Sequence, residues 1–188
     1  VTDKTRVVLI ANPDNPSGTY LTSAEIRRLH ENLPSNVLLV VDAAYEEFAA
    51  APDYESATQL VHEFENVIVT RTFSKVYGMA GLRLGWCYGP TWIIDLLTRI
   101  GPSFPVNSVA FAAGIEAIKD QQHVREVLNH NRFWINEMAK SFQDINLKVY
   151  PSQTNFLLVG FPSHTEKTAD EVNRYLNQNG IIPRQFSV

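Results

Sequence analysis

The 188-residue chain has one cysteine, Cys87, so it can form neither an intramolecular disulfide nor a multi-cysteine zinc site. The apolar neighbours Trp86 and Tyr88 predict simple burial of that thiol, and such sparing use of cysteine fits the cytoplasm. Lysine and arginine number 16 against 20 aspartates and glutamates, a net charge of -4, and no basic run occurs. The electrostatic footprint of a DNA or RNA binder is missing, and no nucleic-acid partner is predicted. No apolar stretch is as long as a membrane span, and the first residues lack the basic start and apolar core of a signal peptide, so no membrane association is expected either. The five histidines, His30, His62, His123, His130 and His164, are scattered without metal-ligand spacing. They are predicted to sit at solvated helix or loop positions, and no metal is expected. Internal repeats and low-complexity segments are also lacking.

What is present reads as α/β. Three short runs rich in Val, Leu and Ile, residues 7–11, 37–41 and 67–69, are too short for helices and have the composition of strands covered on both faces. Residues 22–33 between the first two carry a capping box, Thr22 with Glu25, and Ile26, Leu29 and Leu33 at helical spacing before Pro34. Strand, helix, strand predicts a mostly parallel sheet. A fourth strand is predicted over 84–88 and a helix over 92–99. Further helices are expected over 108–119 and 123–142, short strands over 147–150 and 155–159, and a helix over 169–179 stopped by Gly180. The change from alternating strands and helices to long helices and a small α+β unit places a domain boundary near residue 120, giving segments 1–120 and 121–188. Trp86, Trp92 and Trp134 are expected in the core rather than against a ligand.

A polar motif follows each of the first three strands: Asn12-Pro-Asp-Asn-Pro-Ser-Gly18, Asp42-Ala-Ala-Tyr45 and Thr70-Arg-Thr-Phe-Ser-Lys75. In open α/β sheets ligands bind beyond the carboxyl ends of the strands, so the three motifs are predicted to converge. Lys75 stands among small and hydroxyl residues (Thr72, Ser74, Gly78, Ala80, Gly81), with Arg83 eight positions on. A Schiff-base lysine needs a neutral amine, which a neighbouring cation and partial desolvation favour, and hydroxyls with a guanidinium suit a phosphate ester. The combination points to pyridoxal 5'-phosphate (PLP). Asp42, at a strand end, suits the acid that keeps a pyridine nitrogen protonated, although a helix cap is its bland role. Tyr45 presents a phenol from the same loop, with core packing as its alternative, and Asn15 a donor amide, with a plain turn as its alternative.

The order and spacing of these motifs, with Thr72-Phe-Ser-Lys75-Val-Tyr-Gly-Met-Ala-Gly-Leu-Arg83 as the third, resemble the fold-type-I PLP aminotransferases. Tyr20, Ser74 through Gly85, Pro151-Ser-Gln-Thr-Asn-Phe156 and Gly180-Ile-Ile-Pro-Arg184 most resemble the histidinol-phosphate aminotransferase branch, and the resemblance covers essentially the whole chain. It implies that Lys75 carries the cofactor, that Asp42 meets the ring nitrogen and Asn15 and Tyr45 the ring oxygen, and that Thr72, Ser74 and Arg83 bind the phosphate. It further implies that Arg184 faces the acidic end of the substrate. Asn15, close to the reacting end, is placed with the substrate-binding residues as well. By the same resemblance the reaction is amino transfer from histidinol phosphate to 2-oxoglutarate, in a homodimer, with an amino donor and a keto acid as small-molecule partners.

The family's glycine-rich phosphate turn and ring-stacking aromatic residue have no counterpart before Val1, and its last arginine lies beyond Val188. An internal or truncated segment, inactive alone, is therefore expected. Other fold-type-I chemistries, a lyase or decarboxylase, remain open because cofactor motifs do not fix the bond that breaks. So does an aminotransferase-like sensor domain of a transcription regulator, which would need a helix-turn-helix module outside these residues. Intact Asn15, Asp42, Tyr45, Lys75 and Arg83 argue against an inert interaction domain.

Overall fold

A computed structural model describes residues 1–162 and 167–186 of the chain. Four strands, β1 (Val7–Ala11), β2 (Leu38–Asp42), β3 (Val67–Thr72) and β4 (Gly85–Tyr88), form one sheet in sequence order. β1, β2 and β3 are parallel, and β4 returns antiparallel to β3. The predicted mostly parallel sheet is thus present, with its fourth strand reversed. The chain between β3 and β4, residues 73–84, is a loop with one 3-10 turn at Ala80–Leu82 and no α-helix of the kind that usually makes a parallel crossover.

Alternation along the strands divides the core. Leu39, Val41, Val67 and Val69 point to one face and pack with Ile26 of α1 (Ser23–Glu31) and Leu60 of α2 (Thr58–Glu63). Val40 and Ile68 point the other way, onto Ile93 of α3 (Thr91–Ile100), with Leu38 and half-buried Cys87 beside them. β2 and β3 are covered on both faces as predicted. β1 is not: Val8 and Ile10 reach the first cluster, while Leu9 is 65% exposed because the second cluster, built around Ile93, does not extend to it. The Thr22–Glu25 capping box forms, with both reciprocal bonds made. The helix α2 has no forecast in the sequence, since six residues are too few to show a helical period.

α4 (Ser108–Lys119) and α5 (Gln121–Asp144) meet at Asp120, whose carboxylate accepts from His123 N–H and caps the longer helix. A two-stranded antiparallel ribbon, β5 (Lys148–Val149) and β6 (Val159–Gly160), and α6 (Ala169–Gln178) complete the described residues. Most of the segment expected as a strand from 155 is loop, tied by its own hydroxyls: Ser152 Oγ donates to Phe156 O at 2.7 Å. Gly180 follows α6 at φ +78°, the left-handed conformation expected of a helix stop.

The tryptophans are not core residues. Trp86, Trp92 and Trp134 are 43%, 52% and 49% exposed, each held on one side only: Trp86 under the Arg71 guanidinium, Trp92 by an Nε1–H bond to Glu65 O, Trp134 against Phe133. His30 departs from the solvated reading, because its ring stacks on Phe64 at 3.8 Å and its Nε2 lies 2.7 Å from Asn66 Oδ1. His164 lies outside the described residues.

Candidate active site

Parallel strands carry the three polar motifs to one end of the sheet, where local turn chemistry shapes each loop. After β1, Asp14 Oδ2 accepts from Ser17 N–H and Oγ–H, and Gly18 N–H donates to Asp14 O, closing the loop. Buried Asn12 anchors the loop's base by accepting from Leu21 N–H and donating to Leu21 O. Gly18 takes φ +76°, and a Cβ there would lie 2.9 Å from Ser152 Cβ and 3.1 Å from Ser152 Cα. Only glycine satisfies both conditions.

Asn15, Asp42, Tyr45 and Lys75 line one cavity of about 490 Å³, together with Pro13, Pro16, Ala11 and Ala44. Asn15 Nδ2 donates to Tyr45 Oη at 3.0 Å. Lys75 Nζ stands over the Tyr45 ring, 4.9 Å from its centroid. Tyr45 is 6% exposed and packs with Phe48, Val76 and Phe156, so it is both a core residue and a cavity wall. Asp42 Oδ1 accepts from Thr70 Oγ of β3 at 3.2 Å. From the far end of the chain, Arg184 and Phe186 line the same cavity, with the Arg184 guanidinium 5.6 Å from the Phe186 ring.

Thr72, Ser74 and Arg83 flank Lys75 without lining that cavity. Ser74 N–H donates to Thr72 Oγ1 at 3.0 Å, and Arg83 Nη1 reaches Ser74 Oγ at 3.5 Å while donating to Ala80 O at 2.8 Å. Arg83 adopts φ +55°. Tyr20 does not reach the cavity; its hydroxyl donates to Asp53, and that bond pushes its pKa up. A wider depression of about 690 Å³ along α6 involves none of the three loops. Among the described residues no cluster of His, Cys, Asp and Glu could hold a metal ion, and no helix is long and apolar enough to cross a membrane.

Beneath the Asp42–Tyr45 loop lies a charged group that the sequence did not single out. Arg71 Nη1 bonds Glu46 Oε1 at 2.6 Å and Nη2 bonds Glu47 Oε1 at 2.8 Å, all three side chains being largely buried. Burial pushes the Glu46 carboxyl up more than Arg71 lowers it, whereas at Arg71 the two carboxylates outweigh burial and hold the guanidinium charged. Gln153 also escaped notice: its Oε1 accepts from Ala50 N–H at 2.7 Å and Ala51 N–H at 3.0 Å. The only available signal for these was the acid pair Glu46-Glu47 directly after the Tyr45 motif; the partners are distant in sequence.

An open, mostly parallel sheet with a lysine, a strand-end carboxylate, a phenol and an amide on one cavity defines a class of α/β protein with a polar cofactor-sized site beyond its strand ends. The sequence profile of the family described as "Aminotransferase class I and II" matches residues 1–188, and the chain belongs to that family. It is 47% identical over 182 residues to the histidinol-phosphate aminotransferase of Maricaulis maris, covering 97% of this chain and 50% of that protein. The crystal structure of histidinol-phosphate aminotransferase from Sinorhizobium meliloti, in complex with pyridoxal-5'-phosphate, superposes with a TM-score of 0.86 at 32% identity, over 97% of this chain and 50% of that one. A decarboxylase from Sulfurospirillum multivorans superposes with a TM-score of 0.74 at 27% identity, over 94% and 51%. The chain thus spans about half the length of the relatives it matches.

Proposed function

We propose that the protein containing this chain is a PLP-dependent aminotransferase that takes histidinol phosphate as amino donor and 2-oxoglutarate as acceptor. The observation that carries this reading is the convergence of Asn15, Asp42, Tyr45 and Lys75, from the ends of three parallel strands, on one cavity. The 47% identity to a histidinol-phosphate aminotransferase supports the substrate. The same fold serves a decarboxylase, so the fold does not choose the bond that breaks; the identity, 27% there against 47%, favours amino transfer.

The side chains fit the cofactor by their chemistry: an amine for its aldehyde, a carboxylate for its pyridine nitrogen, a phenol and an amide 3.0 Å apart for its ring oxygen. When bound, the ring supplies an electron sink for the pair left at the substrate carbon. Asp42, held by Thr70 Oγ, would keep a proton on the ring nitrogen by a charge-assisted bond. Lys75 would hold the aldehyde through Nζ, and its amine would carry the proton to and from the substrate carbon. Thr72, Ser74 and Arg83, linked to one another beside Lys75, offer hydroxyl and guanidinium donors to the phosphate. Arg184, on the cavity wall, grips the acidic end of the substrate, where a planar bidentate donor is not replaced by lysine. A homodimer in the cytoplasm, with the division near residue 120 separating a larger cofactor-binding unit from a smaller one, completes the proposal.

The complete protein supplied with PLP should form glutamate from histidinol phosphate and 2-oxoglutarate; no glutamate, with cofactor bound, would exclude this reaction. Arg184→Lys should lower kcat/KM for histidinol phosphate by more than about tenfold, roughly 1.4 kcal/mol of transition-state binding, with the cofactor spectrum unchanged. An undiminished preference for histidinol phosphate over its dephosphorylated form would remove Arg184 from the site.

A further inference from the structure

The loops bearing Asn15 and Tyr45 come from different strands and meet through side chains: Asn15 Nδ2 donates to Tyr45 Oη at 3.0 Å, Tyr20 Oη to Asp53, and Tyr54 Oη to Asn12 O at 3.3 Å. A further tie, made to the backbone of both loops, comes from more than a hundred residues further along the chain. Gln153 N–H donates to Gly18 O of the first loop at 2.8 Å. Its side-chain oxygen accepts from Ala50 and Ala51 of the second at 2.7 and 3.0 Å. Two N–H groups on one acceptor fix the amide's orientation. The neighbours of Gln153 reinforce the bridge: Ser152 fills the space a side chain at Gly18 would need, and the Phe156 ring meets Tyr45 edge-on at 5.3 Å. The bridge itself is anchored, because Thr154 is 2% exposed and its carbonyl accepts from Asn131 Nδ2 of α5 at 3.1 Å.

We propose that Gln153 is a positioning residue that brackets the Asn15 and Tyr45 loops and so sets the donor pair offered to the cofactor's ring oxygen. The cofactor's place rests on the function proposed above; the bracket itself does not. Tyr45 Oη, having accepted the Asn15 N–H, is left free to aim its own proton into the cavity. If the loops separate, that aim is lost, and donors that stabilise an anionic ring oxygen are lost with it. The protonated form of the bound chromophore is then favoured, and the pH at which its visible absorption switches must rise.

Three proteins test this: the complete protein, its Gln153→Leu variant and its Gln153→Glu variant, whose carboxylate accepts the same two N–H groups. Without cofactor, amide hydrogen exchange over residues 12–20 and 46–54 should be faster in Gln153→Leu and near wild type in Gln153→Glu. With PLP, the spectral midpoint of Gln153→Leu should rise by about half a pH unit or more, an about threefold or larger change in proton affinity, and Gln153→Glu should restore it. Should Gln153→Leu fail to fold, Gln153→Ala takes its place. Unchanged exchange at 12–20, an unchanged midpoint, or equal effects of the Leu and Glu variants would overturn the proposal. Wild-type protein that takes up no PLP would contradict the cofactor reading alone, with the exchange experiment still deciding the bracket.

Discussion

Replacing Arg71 with methionine removes the cation that faces Glu46 and Glu47, whose contacts at 2.6 and 2.8 Å are made by side chains only 14% and 13% exposed. Stranding a buried charge by deleting its partner costs about 3–5 kcal/mol. Glu46, whose pKa burial already raises, has an alternative, to take up a proton. At pH 7 that costs roughly 3.7 kcal/mol for an acid of ordinary pKa near 4.3, at 1.36 kcal/mol per unit. The two routes are of similar size, so a loss of about 3–4 kcal/mol near neutrality is expected, and it should shrink as the pH falls and protonation becomes free. In wild type, Glu46 is already raised by burial, so the folded state binds that proton more tightly than the unfolded chain. Stability from this group is therefore present at low pH and lost as pH rises through the folded pKa. Thermal melting of the complete protein between pH 4.5 and 8 measures all of this. Arg71→Met should melt well below wild type at pH 8 and approach it at pH 4.5, and adding Glu46→Gln and Glu47→Gln should recover most of the loss. A pH-independent deficit, or no recovery in the triple variant, would refute the ion-group account and leave lost packing against Trp86 as the cause.

Asp42→Ala should lower turnover at least ten- to a hundredfold, the equivalent of a charge-assisted bond of about 1.5–3 kcal/mol, and wild-type turnover in steady-state assays would reduce Asp42 to a strand-end cap. Gly18→Ala places a Cβ in a left-handed conformation and against Ser152. A stability loss above about 1 kcal/mol is expected in denaturant melts, and wild-type stability would show that the two loops do not pack closely.

What could be read from the sequence is what local physics decides. Runs such as Leu38–Asp42 alternate between two faces, Thr22 and Glu25 cap a helix whatever surrounds it, and three polar motifs placed after parallel strands must end on one side of a sheet. What could not be read depends on pairings far apart in the chain. The reversal of β4 goes with a connection that holds no crossover helix rather than with its composition. The tryptophans are apolar enough for a core, yet on β4, α3 and α5 they stand half exposed. Arg71 looks like any charged residue between Thr70 and Thr72 until Glu46 and Glu47 fold beneath it, and Gln153 is an ordinary loop glutamine until Ala50 and Ala51 present their N–H groups.

The central claim is that Lys75, over the Tyr45 ring and beside Asn15 and Asp42, carries the cofactor. Borohydride treatment of the complete protein loaded with PLP, followed by peptide mapping, tests it directly. Loss of the visible absorption and one pyridoxyl adduct, on Lys75 and absent from Lys75→Ala, are the predicted results; an adduct on any other lysine, or unaltered labelling of Lys75→Ala, would contradict the claim.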